Sequence, residues 1–392
     1  MDVMKTVSIL GATGSIGRST ADVILSRPEA FDVQALTAGS GYKKLAEMAV
    51  ALKAKRAVIA DPSAYKNLKD ALSGAGIEAA AGHEALLEAA AMPAEWIMAA
   101  VVGMAGLLPL MRAIEQGTCV AIANKEPLVA AGPLVMDAAR RHGATILPVD
   151  SEHNAIFQVF DRERPQGIAR LILTASGGPF RTWTKEQMQA ATPQQAVAHP
   201  NWSMGAKISV DSASMMNKAL EVIEAHYLYD MPPEKISVLV HPQSIIHSMV
   251  EYLDGSVLAQ LGAPDMRTPI AHTLAWPQRM TTPGQRLDWA ALKRLDFEPL
   301  DSARFPAVGL AYEALGRGLW ACVALNAANE VAVAEFLAGK CGFWEIVNTI
   351  GWTMESLAPV DLPSINHIID YDGEVRGKAR THLAETRSKK AG

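Results

Sequence analysis

A glycine-rich turn close to the amino terminus constrains the fold of this chain more than any other sequence feature. The strand-like run at residues 5–10 is followed by the string GATGSIG at residues 11–17, and a helical pattern then occupies residues 18–26. Glycines permit a tight turn, and the free amides at a helix start can bind a pyrophosphate. Glycine can also serve a purely structural turn. The strand, turn and helix together favour dinucleotide binding.

The first 150 residues alternate between strand-like and helical segments. Short β-branched runs lie at residues 6–10, 33–37, 57–60, 96–101, 120–123 and 145–149. Segments such as 42–53 and 107–116 have helical length and periodicity. This alternation predicts an α/β, Rossmann-type domain with a parallel sheet, spanning residues 1–150.

The pattern changes after residue 150. Mixed strands are predicted at residues 170–175, 207–210, 236–241, 247–252 and 256–261. Residues 151–263 are therefore interpreted as an α+β central domain, and the proline-punctuated segment 264–306 as a linker. Helix formers with helical spacing in 307–337 and 342–357 predict a small helical C-terminal domain, 307–392.

The end of the second predicted strand bears on the choice of nucleotide. An NAD site normally places Asp or Glu there to bind the ribose 2′-hydroxyl. This chain has Gly39-Ser40-Gly41 instead, with Lys43 and Lys44 nearby. The absence of a carboxylate favours a 2′-phosphate and hence NADP(H), although the lysines could equally be solvated residues of a helix face.

Charge and cysteine content exclude several classes of protein. The net charge is -5, and no basic run suggests binding to nucleic acid or to an anionic membrane. Three cysteines without CxxC spacing suggest neither a disulfide framework nor a thiolate zinc site. A strand-like run begins almost at once, so no signal peptide is expected, and no stretch reaches the roughly 18 to 20 apolar residues of a membrane span. We expect a cytoplasmic protein.

Acidic residues follow the last strand of the first domain. The string PVDSEHN at residues 148–154 places Asp150 and Glu152 two residues apart, so in extended backbone they project to one side. Paired carboxylates repel unless a cation or proton lies between them, and oxygen ligands suit Mg²⁺ or Mn²⁺. The alternative is that these acids cap the following helix.

A third acid occurs in the second domain. The predicted strand 207–210 leads into a helix on which Asn217, Lys218 and Glu221 lie close to one face. Ser212 or Asp211 is expected at the helix start, where hydroxyls and amides suit a phosphate. The alternative is an N-cap followed by a surface Lys-Glu pair.

Several strings resemble the 1-deoxy-D-xylulose 5-phosphate reductoisomerase family. They are IANKE (122–126), PVDSEHNAIFQ (148–158), LTASGGPF (173–180), HPNWSMGAKISVDSASMMNKALEVIEA (199–225), HPQSIIHSMVEY (241–252) and LNAANEVAVAEFL (325–337). The resemblance extends over nearly the whole chain in order. It implies a homodimeric, NADPH- and divalent-metal-dependent enzyme that rearranges a sugar phosphate, through an aldehyde, to 2-C-methyl-D-erythritol 4-phosphate.

The resemblance also implies roles for individual residues. It implies a metal bound by Asp150, Glu152 and Glu221, which also have catalytic roles with Lys125. Implied substrate contacts are Lys125, Ser151, Glu152, Ser176, His199, Trp202, Ser212, Asn217, Lys218 and Glu221. Implied cofactor contacts are Thr13, Gly14, Ser15, Ile16, Gly39, Asn124, Glu126 and Gly205. Trp202 belongs to a loop near 198–206 that is expected to close over the substrate as a lid.

The chain departs from the usual family pattern at two places, and two other functions compete with the one that the resemblance implies. Where the family commonly has Gly followed by Arg or Lys and Asn, this chain has Gly39-Ser40-Gly41, and Ser214 stands where Thr is more frequent. The rivals are another NADP-linked dehydrogenase of a small phosphorylated or aldehyde substrate, and a catalytically silent nucleotide sensor. Neither of them needs three converging carboxylates.

Overall fold

The computed structural model describes residues 4–202 and 204–391, and it divides into two compact units. The first unit comprises Met1–Pro127, Val135–Phe157 and Asp265–Arg286. The second comprises Leu128–Leu134, Gln158–Pro264 and Leu287–Gly392. Neither unit is a continuous stretch of chain.

The strands form two sheets, one in each unit. In chain order the strands are β1 (Lys5–Leu10), β2 (Phe31–Ala38), β3 (Arg56–Ile59), β4 (Glu78–Ala81), β5 (Trp96–Ala99), β6 (Cys119–Ile122), β7 (Thr145–Pro148), β8 (Ile168–Ala175), β9 (Ile236–Val240), β10 (Ile246–Tyr252), β11 (Val257–Leu261) and β12 (Glu298–Pro299). The first sheet has the order β4-β3-β2-β1-β5-β6-β7, and all its pairs are parallel. The second has the order β11-β10-β8-β9-β12, in which only β8 and β9 pair in parallel.

Helices connect and cover these strands. They are α1 (Ser15–Leu25), α2 (Tyr42–Ala51), α3 (Tyr65–Ala71), α4 (His83–Ala90), α5 (Leu107–Ile114), α6 (Glu126–His142), α7 (Ser151–Val159), α8 (Lys185–Gln189), α9 (Pro193–Ala196), α10 (Ala206–Ala213), α11 (Met216–Tyr229), α12 (Arg267–Ala275), α13 (Ala307–Arg317), α14 (Leu319–Leu337), α15 (Phe343–Glu355) and α16 (Ile365–Ala391). Within the described residues, every helix is too short or too polar to span a lipid bilayer.

The parallel sheet brings several chain segments to one edge. Its central strands, such as β5, are buried along their whole length because helices cover both faces. The glycine-rich turn follows β1, Asn124 and Lys125 follow β6, and Asp150 follows β7. Since the carboxyl ends of parallel strands share one edge, this edge is the expected ligand site of the unit.

The predicted fold class is confirmed, but some elements were predicted wrongly. Residues 207–210 are not a strand, because they belong to α10. The run Lys207 to Val210 contains β-branched residues that suit either state, and packing of the second unit decides for helix. The polar helix α16 and the short edge strand β4 were missed.

The proline-rich segment 264–306 contains ordered elements. Helix α12 packs against α1 in the first unit, and β12 pairs with β9 in the second sheet. The predicted helix 307–337 is two helices, divided at Gly318, whose φ of +105° suits glycine. Residues far apart in sequence therefore complete each unit.

Candidate active site

The glycine-rich turn packs closely against neighbouring backbone. Gly11 has φ +90°, and a Cβ built on it would lie 2.4 Å from the Ala100 carbonyl oxygen. A Cβ on Gly17 would lie 2.2 Å from the Ala12 carbonyl oxygen. The Gly11 N–H donates to the Thr37 hydroxyl at 3.0 Å, which ties the turn to β2. Glycine is thus required at both ends of the turn.

The start of α1 is suited to an anion. Gly14 is its N-cap and has no side chain to satisfy the amides of the first turn, and that turn contains no carboxylate. Gly14 and Ser15 are exposed, and Thr13 and Ile16 are half-buried. Amides at the amino end of a helix bind negatively charged groups. The turn therefore fits the pyrophosphate of a dinucleotide.

The residues after β2 leave space for a ligand. Gly39, Ser40 and Gly41 are exposed, and a Cβ on either glycine would meet nothing within 4 Å. Helix α2 then begins at Tyr42, with Lys43 and Lys44 exposed in its first turn. These cationic side chains fit the charge of a 2′-phosphate.

Asn124 is a buried residue with an available acceptor. Its side-chain amide donates to the carbonyl oxygens of Val101 and Gly103, the latter at 2.9 Å. Its Oδ1 has no hydrogen-bond partner among the described residues, and only 7% of the residue is exposed. Buried acceptors are rarely left unpaired. Oδ1 can accept a hydrogen bond from a bound ligand, as expected for a cofactor contact.

Gly106 makes room for Asn124 and was not recognised from the sequence. Its φ of -75° and ψ of -14° would suit any residue. A Cβ there would lie 2.5 Å from both Asn124 Nδ2 and the Val101 carbonyl oxygen. Glycine is needed at this position for space rather than for backbone conformation, and a lone glycine in sequence does not reveal such a contact.

Substitution of Gly106 tests this arrangement. We expect Gly106→Ala to weaken NADPH binding about tenfold, because overpacking of roughly 1–3 kcal/mol would displace the Asn124 amide. The measurement is a fluorescence titration of NADPH. The matched control is Gly309→Ala in α13, where a Cβ would meet nothing within 4 Å. Equal affinities of the two variants would contradict the role of Gly106.

The residues after β6 and β7 form an ion pair. Lys125, which follows β6, pairs through Nζ with Oδ2 of Asp150, which follows β7, and both side chains are largely buried. Burial raises the pKa of the Asp150 carboxyl, but the charges of Lys125 and His153 and hydrogen bonds with Lys125 and Glu152 outweigh it. The pKa therefore lies well below its ordinary value, and Asp150 is a carboxylate. Glu126, the first residue of α6, is also buried.

Glu152 lies in a helix rather than in extended backbone. Helix α7 begins at Ser151, so the predicted two-residue alternation of Asp150 and Glu152 is wrong. The Ser151 hydroxyl donates to Glu152 Oε2 at 2.5 Å. Acidic residues in a first turn are favoured by the helix dipole, which explains the helical start. One carboxylate oxygen of Asp150 and one of Glu152 nevertheless lie within 4.8 Å of each other.

In the second unit, α11 carries the third acid. Glu221 is fully buried; Asn217 Nδ2 donates to its Oε1 at 2.5 Å, and Lys218 Nζ pairs with its Oε2. The predicted helical spacing of these three residues is confirmed. The prediction that Asp211 or Ser212 begins this helix is wrong, since both lie in the last turn of α10.

Ser176 and His199 form a hydrogen-bonded pair. His199 Nδ1 accepts the backbone N–H groups of Asn201 and Trp202 at 3.1 and 3.0 Å. Its Nε2 therefore carries the proton and donates to Ser176 Oγ at 2.9 Å. Ser176 Oγ also accepts the Gly178 N–H at 3.1 Å. Because Oγ already accepts two hydrogen bonds, its own proton is available to a ligand.

The protonation of His199 gives a pH prediction. Burial lowers the pKa of His199 to about 4. Between about pH 4 and 6.5 the unfolded chain binds more protons at this residue, so stability falls as the pH is lowered through that window. We expect His199→Gln to reduce the difference in free energy of unfolding between about pH 7 and pH 5. Urea titrations measure it.

A histidine on the surface provides the control for this measurement. His142 is exposed at the end of α6, so His199→Gln should change the pH dependence more than His142→Gln does. A His199→Gln variant with the same pH dependence as the unsubstituted chain would exclude a half-buried neutral imidazole at residue 199.

The predicted lid segment precedes α10. The Trp202 ring lies 6.0 Å from the His247 ring, between centroids, and the exposed Gly205 is the N-cap of α10. Ser203 lies outside the described residues. A Cβ on Gly178 would lie 2.6 Å from the Ser212 carbonyl oxygen, so the turn after Ser176 packs directly on the end of α10. Closure of the segment stays a prediction.

Profiles of one enzyme family match three parts of the chain. Residues 7–132 match 1-deoxy-D-xylulose 5-phosphate reductoisomerase. Residues 146–229 match the C-terminal domain of that family, and residues 261–378 match a domain described as DXP reductoisomerase C-terminal. Together they cover most of the sequence in order.

Similar proteins agree over nearly the full length. The 1-deoxy-D-xylulose 5-phosphate reductoisomerase of Zymomonas mobilis is 55% identical over 97% of this chain and 98% of its own. That of Rhodospirillum centenum is 56% identical over 98% of this chain and 96% of its own. A Zymomonas mobilis structure in complex with NADPH has a TM-score of 0.92 at 53% identity and covers 97% of this chain and 99% of its own.

A second solved structure adds further ligands. A DOX-P reductoisomerase in complex with NADPH, fosmidomycin and magnesium has a TM-score of 0.92 at 41% identity and covers 97% of this chain and 98% of its own. The profiles, the full-length identities and the shared fold agree with one another. This chain belongs to the 1-deoxy-D-xylulose 5-phosphate reductoisomerase family.

Proposed function

We propose that this chain is an NADPH- and divalent-metal-dependent reductoisomerase that converts 1-deoxy-D-xylulose 5-phosphate to 2-C-methyl-D-erythritol 4-phosphate, a step towards isoprenoid precursors. The observation that carries the proposal is family membership at 55% identity over 97% of the chain. The nucleotide-binding and catalytic roles that the sequence analysis assigned to residues 1–150 and 151–263 belong to the same proposal.

The first unit is proposed to bind NADPH. The uncapped start of α1, the open end of β2 and the available Asn124 Oδ1 support this role. The proposed contacts are Thr13, Gly14, Ser15, Ile16, Gly39, Asn124, Glu126 and Gly205. NADPH, when bound, supplies the hydride that makes the overall reaction a reduction.

Asp150, Glu152 and Glu221 are proposed to ligate one divalent cation. Asp150 is held as a carboxylate by Lys125, and Glu221 is oriented by Asn217 and Lys218. Three carboxylates are oxygen-only donors, which suit Mg²⁺ or Mn²⁺. The cation, when bound, supplies the Lewis acid that polarises the substrate carbonyl.

The substrate phosphate is proposed to bind in the second unit. Ser176 has a hydroxyl proton to donate, because it already accepts from His199 and Gly178. Lys218 contributes a buried positive charge, and Ser212 and Asn217 contribute further donors. Charge-assisted hydrogen bonds of this kind are strong and directional. Trp202 is proposed to cover the substrate and exclude water.

Lys125 and Ser151 are proposed to contact the reacting hydroxyl groups. Lys125 Nζ is paired with Asp150, so the carboxylate fixes the position of the ammonium group. The Ser151 hydroxyl is oriented by Glu152. These residues orient the hydroxyl groups and hold protons near them while the carbon skeleton rearranges.

The protein is proposed to be a cytoplasmic homodimer. β11 is an edge strand of the second sheet, and its residues Val257 and Leu258 are about half exposed. Leu253, in the turn before β11, is more exposed still. An exposed apolar edge strand suits pairing with a second copy. Cys119, Cys322 and Cys341 are free thiols, which agrees with a reducing compartment. Size-exclusion chromatography with light scattering tests the dimer.

The activity is tested by NADPH oxidation with 1-deoxy-D-xylulose 5-phosphate. We expect oxidation that requires added Mg²⁺ or Mn²⁺ and stops when the cation is chelated. Oxidation that survives chelation would contradict the metal assignment. Absence of oxidation with either cation would contradict the proposed reaction and favour another NADP-linked dehydrogenase.

A further inference from the structure

The string LNAANEV in α14 contains two buried asparagines to which the proposed function gives no role. Asn326 and Asn329 are fully buried, and the residues around them in this helix are mostly alanine, valine and leucine. A buried amide is costly unless it is hydrogen-bonded. Each asparagine therefore points to a specific polar partner.

The partner of Asn329 lies in α10. Asn329 Nδ2 donates to Asp211 Oδ1 at 3.0 Å, and Lys207 Nζ lies 2.7 Å from Asp211 Oδ2. Only 1% of Asp211 is exposed. Both oxygens of a buried carboxylate are thus held, one by an amide from α14 and one by a lysine from α10 itself. Asn329 is the group that ties Asp211 to a different helix.

Asp211 is adjacent to residues that the proposed function uses. Ser212 follows it directly, and Asn217, Lys218 and Glu221 lie in the next helix. Between the two helices Met215 has φ +61°, a left-handed conformation that is unfavourable for a bulky side chain. Such a conformation persists only where its surroundings hold it. The junction between α10 and α11 therefore depends on its anchors.

Two further features make the Asp211 anchor important. Helix α10 is 8 residues long, and its N-cap Gly205 provides no side-chain hydrogen bond. The turn at Gly178 packs on the Ser212 carbonyl without room for a Cβ. A small displacement of α10 would thus move Ser212 and the turn that carries Ser176 together.

We propose that Asn329 is a positioning residue for the phosphate end of the substrate, acting through Asp211 on Ser212 and on the start of α11. The inference rests on the proposed function, since it assigns the substrate phosphate to these residues. Asn329 itself is not proposed to touch the substrate. It fixes the end of α10, where Ser212 is proposed to bind the phosphate.

The second asparagine provides a matched control. Asn326 lies one turn earlier in α14 and is equally buried, but its Nδ2 donates to Glu330 Oε1 at 3.1 Å. Glu330 in turn pairs with Arg376 of α16 at 2.8 Å. Loss of the Asn326 amide removes the same volume and a comparable hydrogen bond, but the bond leads away from α10.

The experiment compares Asn329→Ala with Asn326→Ala in the full chain. We expect both variants to lower Tm, whereas only Asn329→Ala raises KM for 1-deoxy-D-xylulose 5-phosphate, by about tenfold. Its KM for NADPH should stay within about twofold, because the nucleotide contacts lie elsewhere. Equal KM values for the sugar phosphate in the two variants would overturn the proposal.

An exchange of the two partners keeps the test valid if Asn329→Ala does not fold. Asn329→Asp places two carboxylates together and should raise KM for the sugar phosphate, whereas Asp211→Asn combined with Asn329→Asp restores an amide and a carboxylate. We expect the double variant to recover most of the loss. A double variant no better than Asn329→Asp would overturn the positioning role.

Titration with inorganic phosphate separates this inference from the proposed function. We expect the Kd for phosphate to rise about tenfold in Asn329→Ala and to remain unchanged in Asn326→Ala. That result with an inactive unsubstituted chain would reject the proposed reaction and retain the positioning role. Failure of the unsubstituted chain to bind phosphate, or equal Kd values in both variants, would overturn the inference.

Discussion

Replacement of Glu152 by glutamine is expected to lower kcat/KM by about a hundredfold to a thousandfold, the scale on which removal of one electrostatic contact to the transition state acts. Glutamine keeps the shape of the side chain and an oxygen that can accept from the Ser151 hydroxyl. It removes the negative charge proposed to bind the cation. The measurement is NADPH oxidation over a series of Mg²⁺ concentrations, in which the variant should also require more Mg²⁺.

The control for this variant is an exposed carboxylate. Glu163 is exposed in the loop after α7, so Glu163→Gln makes the same change of charge away from the proposed site. Its kcat/KM and Mg²⁺ requirement should equal those of the unsubstituted chain. If Glu152→Gln retained activity within about fivefold, the assignment of Glu152 as a ligand would be wrong.

Lys218→Met is expected to produce the largest loss of stability. Lys218 and Glu221 are both almost completely buried and are paired through Nζ and Oε2. Methionine fills similar volume but leaves the Glu221 carboxylate without this cation, and breaking a buried pair costs about 3–5 kcal/mol. Urea denaturation without substrate or metal measures the free energy of unfolding. Phosphate binding by the folded fraction should also weaken.

An exposed lysine in an ion pair gives the comparison. Lys340 Nζ lies 3.4 Å from Glu335 Oε1, and its side chain is 52% exposed. Lys340→Met should therefore change the free energy of unfolding by less than about 1 kcal/mol, as is usual for surface pairs. A loss for Lys218→Met as small as that for Lys340→Met would contradict the claim that the buried pair stabilises α11.

Much of the first unit could be predicted from the sequence. The glycine-rich turn is a local signal. Gly17 packs on Ala12 of the same turn, and Gly11 packs on Ala100, which directly follows the neighbouring strand β5. The short β-branched runs that predicted the parallel strands are local signals too. The unit boundary could not be predicted, because α12 returns to pack on α1 from more than two hundred residues further along the chain.

The candidate site was predictable in residue type more than in local structure. Helical spacing correctly grouped Asn217, Lys218 and Glu221. Residues 207–210 were predicted as a strand but belong to α10. The break between α10 and α11 is the left-handed residue Met215, and the sequence does not reveal a left-handed conformation at a residue that is not glycine. Tertiary packing holds that conformation, so the sequence alone did not reveal it.

Contacts between distant segments explain why the roles of other residues could not be predicted from the sequence. Gly106 is needed because Asn124 lies against it, and the pairing of Asn329 with Asp211 joins residues that are 118 positions apart. Neither residue belongs to a local motif with a known geometry. Close packing and buried hydrogen bonds of this kind are properties of the folded unit rather than of any short segment.

The position of the proposed cation can be measured in a crystal. Crystals grown with Mn²⁺ and NADPH would be measured for anomalous scattering. We expect one manganese peak bonded to oxygens of Asp150, Glu152 and Glu221, beside the nicotinamide ring. A peak bonded elsewhere, or any one of these three side chains directed away from the metal, would contradict the proposed metal site.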